Sequence, residues 1–396
     1  MFSTLVSILL ALSAVALVLH GLGVWSAGRV LQSRHRARPR GELPGVTLLK
    51  PIKGMEEELE GNLRSFYSQD YAGERQYILC STDRDDPGIA VARRVAAEFP
   101  EVETRFVCSR DDFGHNPKVS NMSGGLELAR HDLLLQSDAN VRVRPDYLRS
   151  IVGELLDRDA SLLGSLVVGV GERSAGAALE NLQLTGFIAP SVCIAREIAH
   201  VTCVLGKAML LRRSELDQLG GIAIVKDVLC EDFVLAQRYA EAGKRVVLSA
   251  HTVENVNVNT PVEAFVARHS RWLKMRAVLS LPGTLADLGA NPLPFILAAS
   301  ILDARLWLLC IAVWLHKSYW DAALLRRLRG DSLGLTHLWA GPVRDVMLAL
   351  ICFYSLVSRS TEWRGKRFLL GPGSTLIPDE GPLTERLARR VRLRVR

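Results

Sequence analysis

The chain has 396 residues, 48% of them hydrophobic and 23% charged, with a formal net charge of +7. That balance excludes a disordered chain, and the absence of a 20–50-residue repeat excludes solenoids and propellers. The mean hydropathy of +0.15 is high for a soluble enzyme and low for a polytopic transporter, which suggests a soluble domain attached to a few membrane segments. Leu5 to Trp25 is almost wholly apolar, with His20 its one strongly polar side chain. It gives about 30 Å of helix, enough to cross a bilayer. Met1–Thr4 carries no positive side chain and the run is too long for a signal peptide. Arg29, Arg34, Arg36, Arg38 and Arg40 follow, so the positive-inside rule places the chain beyond about residue 30 in the cytoplasm.

From Leu43 to about Met275 strands and helices alternate. Val46–Lys50, Gln76–Ser81, Thr104–Cys108, Asp132–Gln136 and Leu162–Val170 read as strands. Glu56–Tyr67, Pro87–Phe99, Lys118–Arg130 and Pro145–Leu156 read as helices. The alternation predicts an α/β fold with a mostly parallel, doubly wound sheet, whose ligands bind beyond the carboxyl ends of the strands. Met209–Leu211 reads as a core strand, preceded by Gly206-Lys207.

Further on, Arg276–Leu288 has leucines at helical spacing and suits a membrane surface. Two weaker apolar runs follow, Pro292–Trp314, broken by Asp303 and Arg305, and Val343–Val357, with Arg344 and Asp345 near its start. A charge inside a span costs about 2.5–3.5 kcal/mol on insertion scales, so either run fits a crossing, a re-entrant or an interfacial helix. If both cross, Lys317, Arg326, Arg327 and Arg329 go outside, against the rule. The C-terminus carries six arginines from Arg386 to Arg396. Beside apolar segments such a tail faces anionic lipid, and with no nucleic-acid motif present, nucleic acid is not an expected partner. The chain therefore divides into an N-terminal membrane helix (1–30), a cytoplasmic domain (43–275), interfacial and membrane helices (276–370) and a basic tail (371–396).

No dinucleotide, P-loop or α/β-hydrolase signature occurs. Two strand ends carry acids instead. Asp83-Arg84-Asp85-Asp86 follows the second strand and Asp138-Ala139-Asn140 the fourth. A turn with Asp86 as helix N-cap is the plainer reading of the first. One Asp at a buried strand end suits a divalent ion that holds a diphosphate.

These residues, with Cys230-Glu231-Asp232-Phe233 and Arg268-His269-Ser270-Arg271-Trp272, give three separated Asp motifs followed by R-x-x-R-W. In that pattern the chain resembles a membrane-bound GT-A glycosyltransferase of the ceramide glucosyltransferase family. Pro44–Pro51, Asn116–Asn121 and Glu362–Arg367 are further matches. The resemblance implies transfer of a hexose, glucose first, from a UDP-sugar donor to the hydroxyl of a membrane lipid, ceramide first, with inversion at the anomeric carbon. It also implies a cell-membrane, multi-pass protein, whose arginine- and alanine-rich composition suggests a bacterial inner membrane. The alternatives are a hopanoid or other lipid as acceptor, with N-acetylglucosamine or glucose as the sugar, and a polysaccharide synthase-like extruding pore.

It assigns Pro51, Asp86, Lys118, Asn121 and Asp138 to the nucleotide sugar. Asp138 also receives the metal, Mg²⁺ or Mn²⁺. The sequence departs from D-x-D at Asn140, so one carboxylate is certain, and Asn140 or His251 is left to complete the shell. An acceptor hydroxyl must lose its proton as it attacks, and Asp232 is the expected base. Arg268, Arg271 and Trp272 share one helix face, where Arg271 stabilises the diphosphate and Trp272 stacks on the acceptor or floors the pocket, with Gly206-Lys207 expected to line the acceptor side.

Overall fold

The computed structural model describes residues 2–34 and 42–380. Arg36, Arg38, Arg40 and the Arg386–Arg396 cluster lie outside the described residues.

Helix α1 (Phe2–Gln32) leads through Arg34 toward the α/β domain. There β1 (Val46–Pro51), α2 (Leu59–Tyr67), β2 (Arg75–Ser81), α3 (Pro87–Ala97), β3 (Glu103–Cys108), α4 (Pro117–Glu127) and β4 (Leu133–Ser137) follow in turn. Next come β5 (Val141–Arg142), α5 (Tyr147–Asp157), β6 (Leu162–Val170), α6 (Ala175–Gln183) and, after a π turn, α7 (Ala189–Glu197). The domain closes with β7 (Ala208–Arg212), α8 (Arg213–Gln218), α9 (Glu231–Glu241), β8 (Val246–Val256) and α10 (Val262–Leu279).

The eight strands form one sheet in the order β3-β2-β1-β4-β7-β6-β8-β5. Its first half is parallel, as the strand–helix alternation requires. The second half is mixed: β7 runs antiparallel to both β4 and β6, whereas β6 and β8 are parallel. The α/β class and mostly parallel sheet expected from the sequence are therefore what the chain forms, with reversals at β7 and at the two-residue edge strand β5, which is antiparallel to β8. The reversal at β7 brings the segment entering β7 to the same edge where β4 ends.

Alternation along β1 explains the two-sided core. Leu48 packs with α2, α3 and α5 through Phe66, Val95 and Ile151. Leu49 packs on the other face with Val119, Met122 and Leu126 of α4 and Tyr239 of α9. Helix α4 keeps Gly125 because a Cβ there would meet Cys80 Sγ at 2.4 Å, inside contact distance.

Beyond α10 lie α11 (Leu281–Gly289), α12 (Pro292–Leu302), α13 (Trp307–Arg329) and α14 (Thr336–Val357). No continuous helix spans 292–314. It breaks at Asp303, whose carboxylate caps the next turn and pairs with Arg305 at 2.8 Å. By length and composition α1 and α14 can cross a membrane, and α11 with α12, bent by 60°, makes a third candidate. Leu5, Leu12, Val18 and Trp25 on α1 and Leu308 and Leu315 on α13 are exposed and apolar, a surface that suits lipid.

The charges that interrupt these helices face inward. Lys317 lies 2.7 Å from Asp321 and 3.1 Å from Asp345. Arg344 pairs with Asp345 and reaches Leu182 O at 3.1 Å, and His20 reaches Asp321 at 2.8 Å. The two acids and two bases of α13 and α14 cancel, as buried charge requires. The end of α13 that carries Arg326, Arg327 and Arg329 contacts the α/β domain. Arg329 pairs with Glu172 at 2.6 Å and donates to Gly169 O at 2.6 Å, so this loop lies on the side of the α/β domain.

The stretch from residue 371, expected as the start of a basic tail, is structured. A second sheet, β9 (Ser360–Trp363), β10 (Lys366–Leu370) and β11 (Leu376–Pro378), packs Phe368, Leu370 and Leu376 on Leu229. Leu229 N donates to Ser374 O at 2.9 Å, which ties this small sheet to the segment just before α9.

Candidate functional site

The site is built where β1, β2 and β4 end. Beyond Pro51, Asn121 Nδ2 donates to Ile52 O at 2.9 Å and Asp86 Oδ2 accepts Gly54 N–H at 2.8 Å. Asp86 Oδ1 accepts Gly88 N–H at 2.8 Å, so this residue is the N-cap of α3. Asp86 and Asn121, both expected at the nucleotide, are buried and hold the loop that follows Pro51.

At the end of β4, the pairing of Ser137 with Ala208 sets Asp138 beside Lys207. Asp138 Oδ1 lies 2.9 Å from Lys118 Nζ, and Oδ2 lies 3.1 Å from Lys207 Nζ. Burial alone would raise this carboxyl; the two ammonium groups outweigh it and hold the pKa well below the usual range. Lys118, at the start of α4, also pairs with Glu231 at 2.9 Å and donates to Gly206 O at 2.7 Å. All three of its N–H groups are spent. Burial would lower its pKa, but Asp138, Glu231 and Asp232 hold it above lysine's ordinary value.

Helix α9 starts with the other two acids. Glu231 is buried, and burial together with the charge of Asp232 raises its pKa against the pull of Lys118. Asp232 is partly exposed; its Oδ2 accepts Gly206 N–H and its Oδ1 accepts Phe233 N–H at 2.8 Å. A Cβ at Gly206 would stand 2.9 Å from Asp232 Oδ2 and 3.0 Å from Lys118 Nζ, so a larger residue there would push these side chains from their present positions. Lys118, Asp138, Glu231 and Asp232, expected from separate motifs, thus form one cluster.

The R-x-x-R-W helix divides. Arg268 pairs at 3.0 Å with Glu180, a wholly buried carboxylate that also meets His269 at 3.1 Å. Those two residues fix α10 on α6. Trp272 packs edge-on against His269, with ring centroids 5.3 Å apart. Arg271 instead lies over the Trp363 ring at 5.8 Å. Burial, with Arg268 and Arg364 nearby, pushes its pKa down to about 10. Among the described residues no carboxylate lies within 4 Å of it, so this guanidinium is electropositive and lacks an anion.

Two residues escaped the sequence reading as site residues. Lys50 is buried behind Asp138, donating to its carbonyl at 2.7 Å with the ammonium 4.0 Å from the Phe66 ring centroid. Burial lowers its pKa to about 7. A lysine one residue before Pro51 in an apolar strand was the available signal. Arg364 stands at the exposed β9–β10 turn with φ of 50°, and its charge acts on Asp138, Glu56, Asp86 and Glu231. The Glu362–Arg367 match was its signal. Lys207, expected on the acceptor side, pairs with Asp138. His251, a candidate metal ligand, takes a hydrogen bond from Arg34 at 3.2 Å.

The donor set fits a divalent cation in part. Asp138 Oδ2 and Asn140 Oδ1 each lie 3.1 Å from Lys207 Nζ, so two oxygens converge on one point, as a hard cation prefers. Among the described residues no group of three or more His, Cys, Asp or Glu side chains is placed to hold a metal. Further oxygens must come from a ligand.

The family model described as glycosyl transferase family 21 matches residues 6–376. Ceramide glucosyltransferase 3 of Caenorhabditis elegans is 23% identical over 359 residues, covering 87% of this chain and 76% of that one. Ceramide glucosyltransferase of Komagataella phaffii is 27% identical over 304 residues, covering 62% and 59%. Among solved structures, a mannosyltransferase from Pyrobaculum calidifontis in complex with GDP-Man and Mn²⁺ aligns with a TM-score of 0.49 at 19% identity, over 88% of this chain and 99% of that one.

Proposed function

Because the chain belongs to glycosyl transferase family 21, we propose that it transfers glucose from a UDP-sugar to the primary hydroxyl of ceramide in a cell membrane, with inversion. The observation that carries this is the cluster of Lys118, Asp138, Glu231 and Asp232 at the strand ends, with Arg271 on α10 lacking an anion among the described residues. The curated ceramide glucosyltransferases it matches support the acceptor. A hopanoid acceptor has no feature in its favour. An extruding pore needs more spans than the two, or three with the bent pair, that the described residues offer.

In this reading the diphosphate enters over β1 and β4. Arg271 and Arg364 meet its negative charge, and Lys118 keeps Asp138 ionised and holds Glu231 in place. A divalent ion held by Asp138 and Asn140, when bound, neutralises charge that develops on the leaving diphosphate. Asp232 takes the acceptor proton: Phe233 N–H and the Cys230 thiol at Oδ1 and Gly206 N–H at Oδ2 orient the carboxylate, and Oδ2 keeps a free lone pair for the acceptor. Glu231 is less suited, since it is buried against Lys118. The hydroxyl attacks the anomeric carbon as the C–O bond to the diphosphate breaks, and UDP leaves. Membrane attachment through α1, with its exposed apolar face, brings the site to a lipid acceptor; the arginines that follow α1 support a cytoplasmic domain and an inner-membrane location.

Membranes containing the protein, incubated with radiolabelled UDP-glucose, UDP-galactose or UDP-N-acetylglucosamine and ceramide, test this. Label in glucosylceramide from UDP-glucose alone is expected. Label only in a polymer, or only in an isoprenoid lipid, overturns the reading.

A further inference from the structure

Lys207 holds the position that a divalent ion needs. Its ammonium lies 3.1 Å from Asp138 Oδ2 and 3.1 Å from Asn140 Oδ1, the two side-chain oxygens of the D-x-N segment that converge. Lys118, the other lysine on Asp138, cannot leave: Asp138 Oδ1, Glu231 and Gly206 O take all three of its N–H groups. Lys207 spends two, and its third N–H has no partner among the described residues. The side chain is 19% exposed, so it can swing outward.

From this we propose that Lys207 is a tethered cation seated in the metal position, and that nucleotide binding draws it off Asp138 and admits the divalent ion. The inference rests on the metal reading given above. A free ion approaching Asp138 meets a positive charge already in contact with both oxygens it needs. One carboxylate and one amide are too little to displace that charge. A diphosphate changes the balance, because it offers the ammonium a stronger anionic partner and supplies the ion with further oxygens. Lys207 then helps bind the leaving group instead of blocking the cation. Metal and donor thus bind cooperatively, with the lysine as the coupling element.

Mn²⁺ titration followed by electron paramagnetic resonance, on the full chain in detergent with and without UDP, tests this without turnover. The wild type is expected to bind Mn²⁺ weakly alone and at least tenfold more tightly with UDP. In Lys207→Met, Mn²⁺ affinity without UDP should rise about tenfold, and the enhancement by UDP should shrink by the same factor. Lys207→Gln, polar and uncharged, carries the same expectation should the Met variant fold poorly, and Lys207→Arg should bind Mn²⁺ alone as weakly as the wild type. If the wild type shows the UDP enhancement and the uncharged variants leave UDP-free affinity unchanged, the lysine proposal is overturned while the metal reading stands. If no variant binds Mn²⁺ even with UDP, both are overturned.

Discussion

Lys118 Nζ lies 2.9 Å from Asp138 Oδ1, so the first turn of α4 is fastened to the end of β4 by a partly buried ion pair. Breaking a fully buried pair from one side costs about 3–5 kcal/mol, because the remaining charge is left unpaired, and partial exposure makes the cost here smaller. Lys118→Met leaves Asp138, Glu231 and Asp232 facing one another. It is expected to lower the thermal midpoint in detergent and abolish transfer. The double variant Lys118→Met/Glu231→Gln, which removes one carboxylate as well, should recover part of the stability and none of the activity. Equal midpoints for the single and double variants would show that Glu231 and Lys118 are not coupled.

Asp232 and Glu231 are neighbours with different tasks. Asp232→Asn keeps the carbonyl oxygen that accepts Gly206 N–H but removes the proton acceptor. A drop of at least 10²-fold in kcat, with UDP affinity unchanged within twofold, is expected. Glu231→Gln, in contrast, acts through Lys118 and should raise the KM for the donor and lower stability. The reverse pattern, measured by UDP calorimetry beside initial rates, makes Glu231 the base.

Arg271 has no carboxylate within 4 Å among the described residues, and its pKa is pushed down to about 10. An anion beside it restores the ordinary value, which makes anion binding favourable. Arg271→Ala should weaken UDP binding about 10²-fold and uridine binding hardly at all. Trp363→Ala, which removes the ring beneath the guanidinium, should give a smaller loss in the same direction. Equal losses for uridine and UDP would place Arg271 away from the diphosphate.

Lys50 gives a pH signature. Its pKa falls from 10.5 to about 7 on folding, so between those values the unfolded state holds one more proton than the folded state. Stability attributable to this group therefore rises with pH across that window, by about 1.4 kcal/mol per pH unit. Below about pH 7 the full cost of burying the charge is present. Lys50→Met should be stabilised relative to wild type at pH 6, with the difference shrinking as pH rises through 9. Thermal midpoints in detergent at pH 6, 7.5 and 9 check it; a difference independent of pH means that Lys50 stays charged in the fold.

The sheet edge and the acid motifs were legible in the sequence because period-2 apolar runs and strand-terminal acids are local signals. The roles of Asp86 and Arg268 were less so. N-capping of α3 by Asp86 was the plainer reading of its motif, whereas the buried partner of Arg268, Glu180, lies 88 residues earlier in an unremarked helix. The reversal of β7 was invisible for the same reason: strand direction depends on how α6 and α7 route the chain, not on the apolar pattern of Ala208–Arg212. The pairing of Lys207 with Asp138 was not legible, because its neighbour across the sheet is set by that reversal. The apolar runs after residue 290 mark helices but not their breaks, since Asp303 stops a helix by capping the next one.

The pairing of Arg329 with Glu172 at 2.6 Å carries a test of topology. Glu172 follows β6 of the α/β domain, so the link between α13 and α14 must share the domain's side of the membrane. If that side is the cytoplasm, as proposed, Arg326, Arg327 and Arg329 obey the positive-inside rule. Cys108, exposed at the end of β3, reports the side of the domain. A cysteine placed at exposed Arg326, in a chain whose other cysteines are retained, should react with a membrane-impermeant maleimide in the same preparation that labels Cys108: in inverted vesicles, and not in intact cells. Labelling of Cys108 from outside intact cells would place the domain away from cytoplasmic UDP-sugar. Labelling of the two positions from opposite sides would mean that the Arg329–Glu172 pair does not form in the membrane, and that α13 crosses it.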